Sequence, residues 1–166
     1  MSTSEQRDAA AALNALISKA SSSEAWFDAA DTEGLPQSWQ REAVSRILVL
    51  TYGQELHYLS LASPESGDWE IVAFTDTTVV RVTVVRTTKG VSHVESLALP
   101  RSSLESLELL DVAPLSDDKE RWPDELNLVG HYRGATLRLP MDKFASSDNR
   151  KDLVALLSSL LSDLSH

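Results

Sequence analysis

The chain has no cysteine, which excludes disulfides, thiolate metal sites and cysteine nucleophiles together and leaves the redox compartment unmarked. Glycine is sparse. The six present, Gly34, Gly53, Gly67, Gly90, Gly130 and Gly134, stand singly, so no glycine-rich loop is available to cradle a phosphate. No apolar run approaches the ~18 residues that would span a bilayer. The opening residues MSTSEQRD lack the basic region of a secretory leader, and Ser2 stands where myristoylation requires glycine. A cytoplasmic location is the expectation. Positive charge is also scarce, with 15 Lys and Arg against 25 Asp and Glu, a net charge of -10 and a pI of about 4.8. Such a chain repels nucleic acid and anionic membrane unless cations gather locally, so neither is expected as a partner.

Catalytic signatures are missing too. The histidines His57, His93, His131 and His166 show no ligand pairing at i+2 or i+4. His93-Val94-Glu95 has the H-x-E order of zinc deaminases without the Cys-x-x-Cys that completes such a site. Glu55 and His57 would share one strand face as an ordinary salt bridge or solvated pair. Serine is abundant, yet neither G-x-S-x-G nor a placed S-x-x-K occurs. The carboxylates Asp117, Asp118, Glu120, Asp124 and Glu125 crowd one loop but lack the ligand ladder of a calcium site. The expectation is a protein that is not an enzyme, with no metal and no cofactor.

What the chain does have is β-forming sequence. Residues 69–99, WEIVAFTDTTVVRVTVVRTTKGVSHVESLAL, are its densest β-branched and aromatic run. Polar turns at Thr75-Asp76-Thr77 and Thr87-Thr88-Lys89-Gly90 cut it into an antiparallel meander of three strands. In the middle strand Thr78, Val80, Val82 and Val84 share one face, and Val79, Arg81, Thr83 and Val85 the other. Before it, an alternating segment over Leu56 to Leu61 predicts a first strand. After it come a fifth strand over Leu104–Val112 and a closing hairpin, Leu126–Tyr132 and Ala135–Leu139, turned at Arg133-Gly134.

Helical periodicity brackets the strands. Ala9, Ala12, Leu13, Leu16, Ile17 and Ala20 fall at offsets of three and four, with Ser2 to Ser4 as cap candidates. A short helix is expected over residues 24–30, with Trp26 and Phe27 as anchors. A third begins near Pro36 and carries Trp39, Ala43, Ile47 and Leu50. At the other end Leu153, Leu156, Leu157, Leu160, Leu161 and Leu164 make an unbroken leucine stripe behind Ser146, Ser147 and Asp148. The expected organisation is a helical extension over residues 1–53 and a β-rich domain over residues 54–166. The fold class is α+β: a bent antiparallel sheet of about seven strands, plugged by a C-terminal amphipathic helix.

This element order resembles the bacterial pleckstrin-homology (PH)-like domain family. Two phrases carry the likeness: VAFTDTTVVR at residues 72–81, similar to that family's apolar-Thr-Asp-x-x-apolar hairpin, and LALPRSSLESL at residues 97–107, similar to its following strand and turn. The resemblance covers roughly residues 54–166. It implies a search for phosphoinositide-binding cations beside the loop that joins the first two strands. No Lys or Arg lies between Arg46 and Arg81, and that loop carries Glu65 and Asp68 instead. Charge of that sign repels a phosphorylated headgroup, so phosphoinositide binding is not expected there.

The expected function is therefore a non-catalytic protein-interaction or self-assembly module, its partner another protein or a second copy in an oligomer. Trp26, Phe27 and Trp39 are candidate contact residues, with intramolecular core as their alternative use. Arg81 and Arg86, grouped along the chain with Lys89, Arg101 and His93, are the candidate cations, set against ordinary surface charge. The alternative is an acidic chaperone-like adaptor that holds an extended client segment. Folds of that kind place a helix between their strand groups, so a helix between Leu104 and Leu139 would favour it.

Overall fold

The computed structural model describes residues 2–20, 23–29, 37–62, 68–115, 126–142 and 145–165. Pro36, the loop at 63–67 with Glu65, and the acidic loop at 116–125 with Trp122 lie outside the described residues. Three helices come first: α1 (Thr3–Lys19), α2 (Ser23–Asp28) and α3 (Ser38–Leu50). Four strands follow, β1 (Tyr58–Ala62), β2 (Trp69–Phe74), β3 (Thr78–Thr87) and β4 (Gly90–Pro100). A 3₁₀ turn at Arg101–Ser103 leads to β5 (Leu104–Val112), β6 (Leu126–Tyr132), β7 (Ala135–Leu139) and α4 (Ser147–Asp163). The protein is α+β, and its described strand pairs are antiparallel.

The seven strands do not form one continuous ladder. They divide into a sheet of order β1-β2-β3-β4 and a second of order β5-β6-β7. Pro100 ends β4 because it has no N–H to donate, and the 3₁₀ turn then redirects the chain. The first sheet has a core on each face. Leu59, Leu61, Ile71, Ala73, Val80, Val82 and Val84 pack against Leu13, Ile17, Trp26, Ala43 and Ile47 of the helices. On its other face Tyr58, Val72, Phe74 and Val79 meet Leu104, Leu128, Leu137 and Leu139 of the second sheet and Leu153, Leu156 and Leu160 of α4. Burial on both faces explains why β2 reads as a nearly unbroken apolar run.

Local chemistry sets the helix ends. Ser2 caps α1 in a reciprocal box: its hydroxyl accepts from the Glu5 N–H at 3.3 Å, and Glu5 accepts from the Ser2 N–H at 2.5 Å. The Ser2 backbone N–H first, and the Ser2 hydroxyl after it, hold the Glu5 carboxyl below the usual carboxylate range. Ser146 caps α4 by accepting from the Asn149 N–H at 3.1 Å. Three expectations shift. The first strand begins at Tyr58 rather than near Leu56, the second helix ends at Asp28, and the buried face of α1 is Leu13 and Ile17, continued by Ala20 at its C-cap. Ala12 is exposed, because the sheet lies under the branched side chains and not under the alanines.

Asn149 fastens α4 to β1: its side-chain N–H donates to the Leu59 carbonyl at 2.7 Å, and its Oδ1 accepts from the Tyr58 hydroxyl at 3.3 Å. Burial pushes the Tyr58 and Tyr132 phenols well above the ordinary tyrosine range. A phenol whose pKa is raised by folding favours the native state fully below the unfolded value of about 10, and that contribution fades as pH rises beyond it. We expect stability to fall above pH ~10, with part of the tyrosinate absorbance appearing only as the fold is lost. Parallel absorbance and circular-dichroism titrations check this. Full ionisation with native circular dichroism would contradict it.

Candidate interaction surfaces

Of the residues singled out in the sequence, Trp26 is buried and Trp39 half-buried, and both face the chain's own core. Trp26 meets Trp39 and Trp69 edge-on, each with ring centroids 5.4 Å apart, and Trp39 stacks on Trp69 at 6.2 Å. Gln40 anchors the same region by donating to the Trp26 carbonyl at 2.6 Å. Phe27, one residue on, is 47% exposed.

The cations disperse. Arg81 is half-buried, 4.0 Å from Glu70 on the neighbouring strand. Arg86 is exposed beyond a register shift, and its backbone N–H donates to Asp68 at 2.9 Å. Arg101 is not surface charge at all: it is 3% exposed. Its guanidinium donates from Nε to Asp163 Oδ2 at 2.8 Å, from Nη1 to the Thr75 carbonyl at 2.9 Å and from Nη2 to the Ser159 hydroxyl, and Nη2 lies 2.7 Å from the same Asp163 oxygen as an ion pair. That residue joins the β2–β3 turn to the end of α4.

His166 lies outside the described residues, and the other three histidines pair one by one with carboxylates. His57 lies 2.8 Å from Asp76, His93 2.8 Å from Glu95 and His131 3.5 Å from Glu108. Glu55 is thus not the partner of His57. The strand starts after His57, and the turn that carries Asp76 reaches it first. Among the described residues no three His, Asp or Glu side chains gather as metal ligands.

Two surfaces remain that the sequence did not single out. The first is the edge of the second sheet, where, among the described residues, β5 pairs only with β6. Register shifts at Leu104/Ser106 and Leu109/Asp111 place Leu104, Leu107, Leu109 and Val112 opposite Tyr132, Gly130, Leu128 and Leu126, all on the core face. The two extra residues thus bring leucines of uneven spacing to one side. Ser106, Glu108 and Asp111 fall on the other. Leu104 is buried, yet Leu109 and Val112 remain 58% and 45% exposed, with Leu110 and Leu115 exposed beside them. The one advance signal was the rhythm of LESLELLDV, a strand with leucines and acids but no period of two.

The second is a groove of about 550 Å³ between α1 and the segment that follows α3. Its walls are Ala9, Ala12, Ala15 and Leu16 on one side and Leu48, Tyr52 and Leu56 on the other, with Glu5, Lys19 and Glu55 at its margins. Periodicity could not find it, because both walls depend on how α1 and α3 meet.

The architecture defines an α+β chain with a four-stranded and a three-stranded antiparallel sheet, helices outside the first and a helix against the second. No protein-family model and no curated protein matches the sequence. Among solved structures, the hSac2 domain from human phosphoinositide phosphatase Sac2 is similar over 76% of this chain and 84% of that one, at 15% identity and a TM-score of 0.35. A likeness at that score transfers neither fold nor function. Among the described residues, no helix is long and apolar enough to cross a membrane.

Proposed function

We propose that the chain is a non-catalytic protein-interaction module of PH-like architecture that works in the cytoplasm. It takes an extended, basic and apolar segment of another protein along the free edge of β5. The exposed Leu109 and Val112 carry this reading, since they continue a buried core face out to a strand that has one paired neighbour among the described residues, with Leu110 and Leu115 exposed beside them. The β4 edge presents His93 and Glu95 and ends in Pro100.

Charge selects the occupant. A second β5 laid antiparallel in full overlap is centred on Glu108, which sets Glu108 against Glu108 and Glu105 against Asp111. Like charges directly opposite are destabilising. A strand carrying Lys or Arg between apolar residues meets the same acids favourably. A helix between the strand groups would have pointed to the chaperone-like adaptor. Residues 116–125, where such a helix would fall, lie outside the described residues.

The test uses a synthetic peptide of alternating valine and lysine, about ten residues long to match a nine-residue strand. Amide resonances of residues 106–112 are expected to shift on its addition. The pair Leu109→Ser and Val112→Ser should weaken binding about tenfold or more while leaving circular dichroism unchanged. Shifts confined to other strands, or affinity indifferent to both substitutions, would overturn the proposal.

A further inference from the structure

The groove beside α1 has a symmetry that selects its occupant. Glu5, Ala12 and Lys19 line it, spaced seven residues apart. Seven residues are close to two helical turns, so the three lie on one face, with the charged ends each about 10 Å from Ala12. Ala9 and Ala15, also in the lining, flank Ala12 at equal distance. The stripe thus reads acid, small, small, small, base, with Leu16 as a further apolar residue beside Ala15, and reversing the helix direction puts its acid opposite its base.

We propose that a second copy of this chain docks in the groove, α1 lying antiparallel to its counterpart about a twofold axis at Ala12. Glu5 of each copy then meets Lys19 of the other. Such an interface is isologous and closes at two. The alanines let the two backbones approach, and the groove's far wall, Leu48, Tyr52 and Leu56, supplies the apolar flank. Tyr52 and the neighbouring Val49 are 60% and 71% exposed in the single chain. Lys19 also lies 3.7 Å from Asp152 of its own chain and remains 46% exposed. An ammonium has three N–H groups and can hold both carboxylates. α1 and β5 belong to different layers, so this goes beyond the strand-edge reading and stands or falls separately from it.

Sedimentation of the full chain across a concentration series is the test. A dimer that dissociates in the micromolar range is expected. Ala12→Glu, at an exposed position where glutamate is a good helix former, should raise the dissociation constant at least about tenfold, with peptide capture at β5 unaltered. Glu5→Lys alone and Lys19→Glu alone should each weaken the dimer, because each sets like charges opposite. Both together should restore it. That restoration separates pairing from helix stability, since the double reversal opposes the α1 dipole at both ends. A wild-type chain that is monomeric at every concentration overturns the proposal. So does a dimer indifferent to Ala12→Glu, or one that the double reversal fails to restore.

Discussion

Arg101→Ala should lower the unfolding free energy by about 3 kcal/mol, the lower end of what removing one partner of a buried ion pair costs. The lower end applies because the Asp163 side chain keeps 19% of its exposure, and water relieves part of the carboxylate left behind. The loss is more than one ion pair. The Thr75 carbonyl and Ser159 hydroxyl also lose a donor, and a buried acceptor without a partner costs about 1–3 kcal/mol. Arg101→Lys should recover little, because a single ammonium cannot match a planar group aimed at three acceptors. A paired Arg101→Met and Asp163→Leu change should recover most of the stability, because it removes both charges together. Urea denaturation with an unchanged slope reads all three. A loss under about 1 kcal/mol for Arg101→Ala would mean that the guanidinium is solvated in solution, as surface cations are.

Arg101 also marks the limit of what could be read along the chain. The meander, the Arg133-Gly134 hairpin and the leucine helix were legible, because each declares itself within one continuous stretch of chain through period, turn chemistry or capping. Gly134 has φ of 104°, the left-handed backbone its turn requires. What could not be read depends on pairs far apart in sequence. Arg101 meets Asp163 across 62 positions, and nothing beside either residue announces the other. The division into two sheets was hidden similarly, since Pro100 fits a turn within one bent sheet as well as a break between two. The candidate surfaces lay deeper still. Ala12 looked like part of a buried small face, and only the seating of Leu13 and Ile17 on the sheet turns it outward. Along the chain Leu109 is only part of a fifth strand, and it is the strand order that makes it an edge.

Trp26→Ala should cost about 3–5 kcal/mol, the range for deleting a buried large aromatic whose site cannot collapse. Collapse is resisted on three sides, by Trp39, by Trp69 and by the bond from Gln40 to the residue's own carbonyl. Phe27→Ala, one residue along the same helix but 47% exposed, should stay within about 0.5 kcal/mol. The contrast tests whether the first 53 residues are an appendage or part of the fold. The core under Trp26 contains Leu13, Ile17, Ala43 and Ile47 from the helices and Leu59, Ile71, Val80 and Val82 from the strands. An apolar sheet face of that size cannot be left to water, so helices and sheet should unfold as one unit. Trp26→Ala should therefore move the transitions seen by tryptophan fluorescence and by far-ultraviolet circular dichroism together. If the two signals separate, with a helical step first and an intact sheet persisting, the helices pack on the strands without sharing their cooperativity.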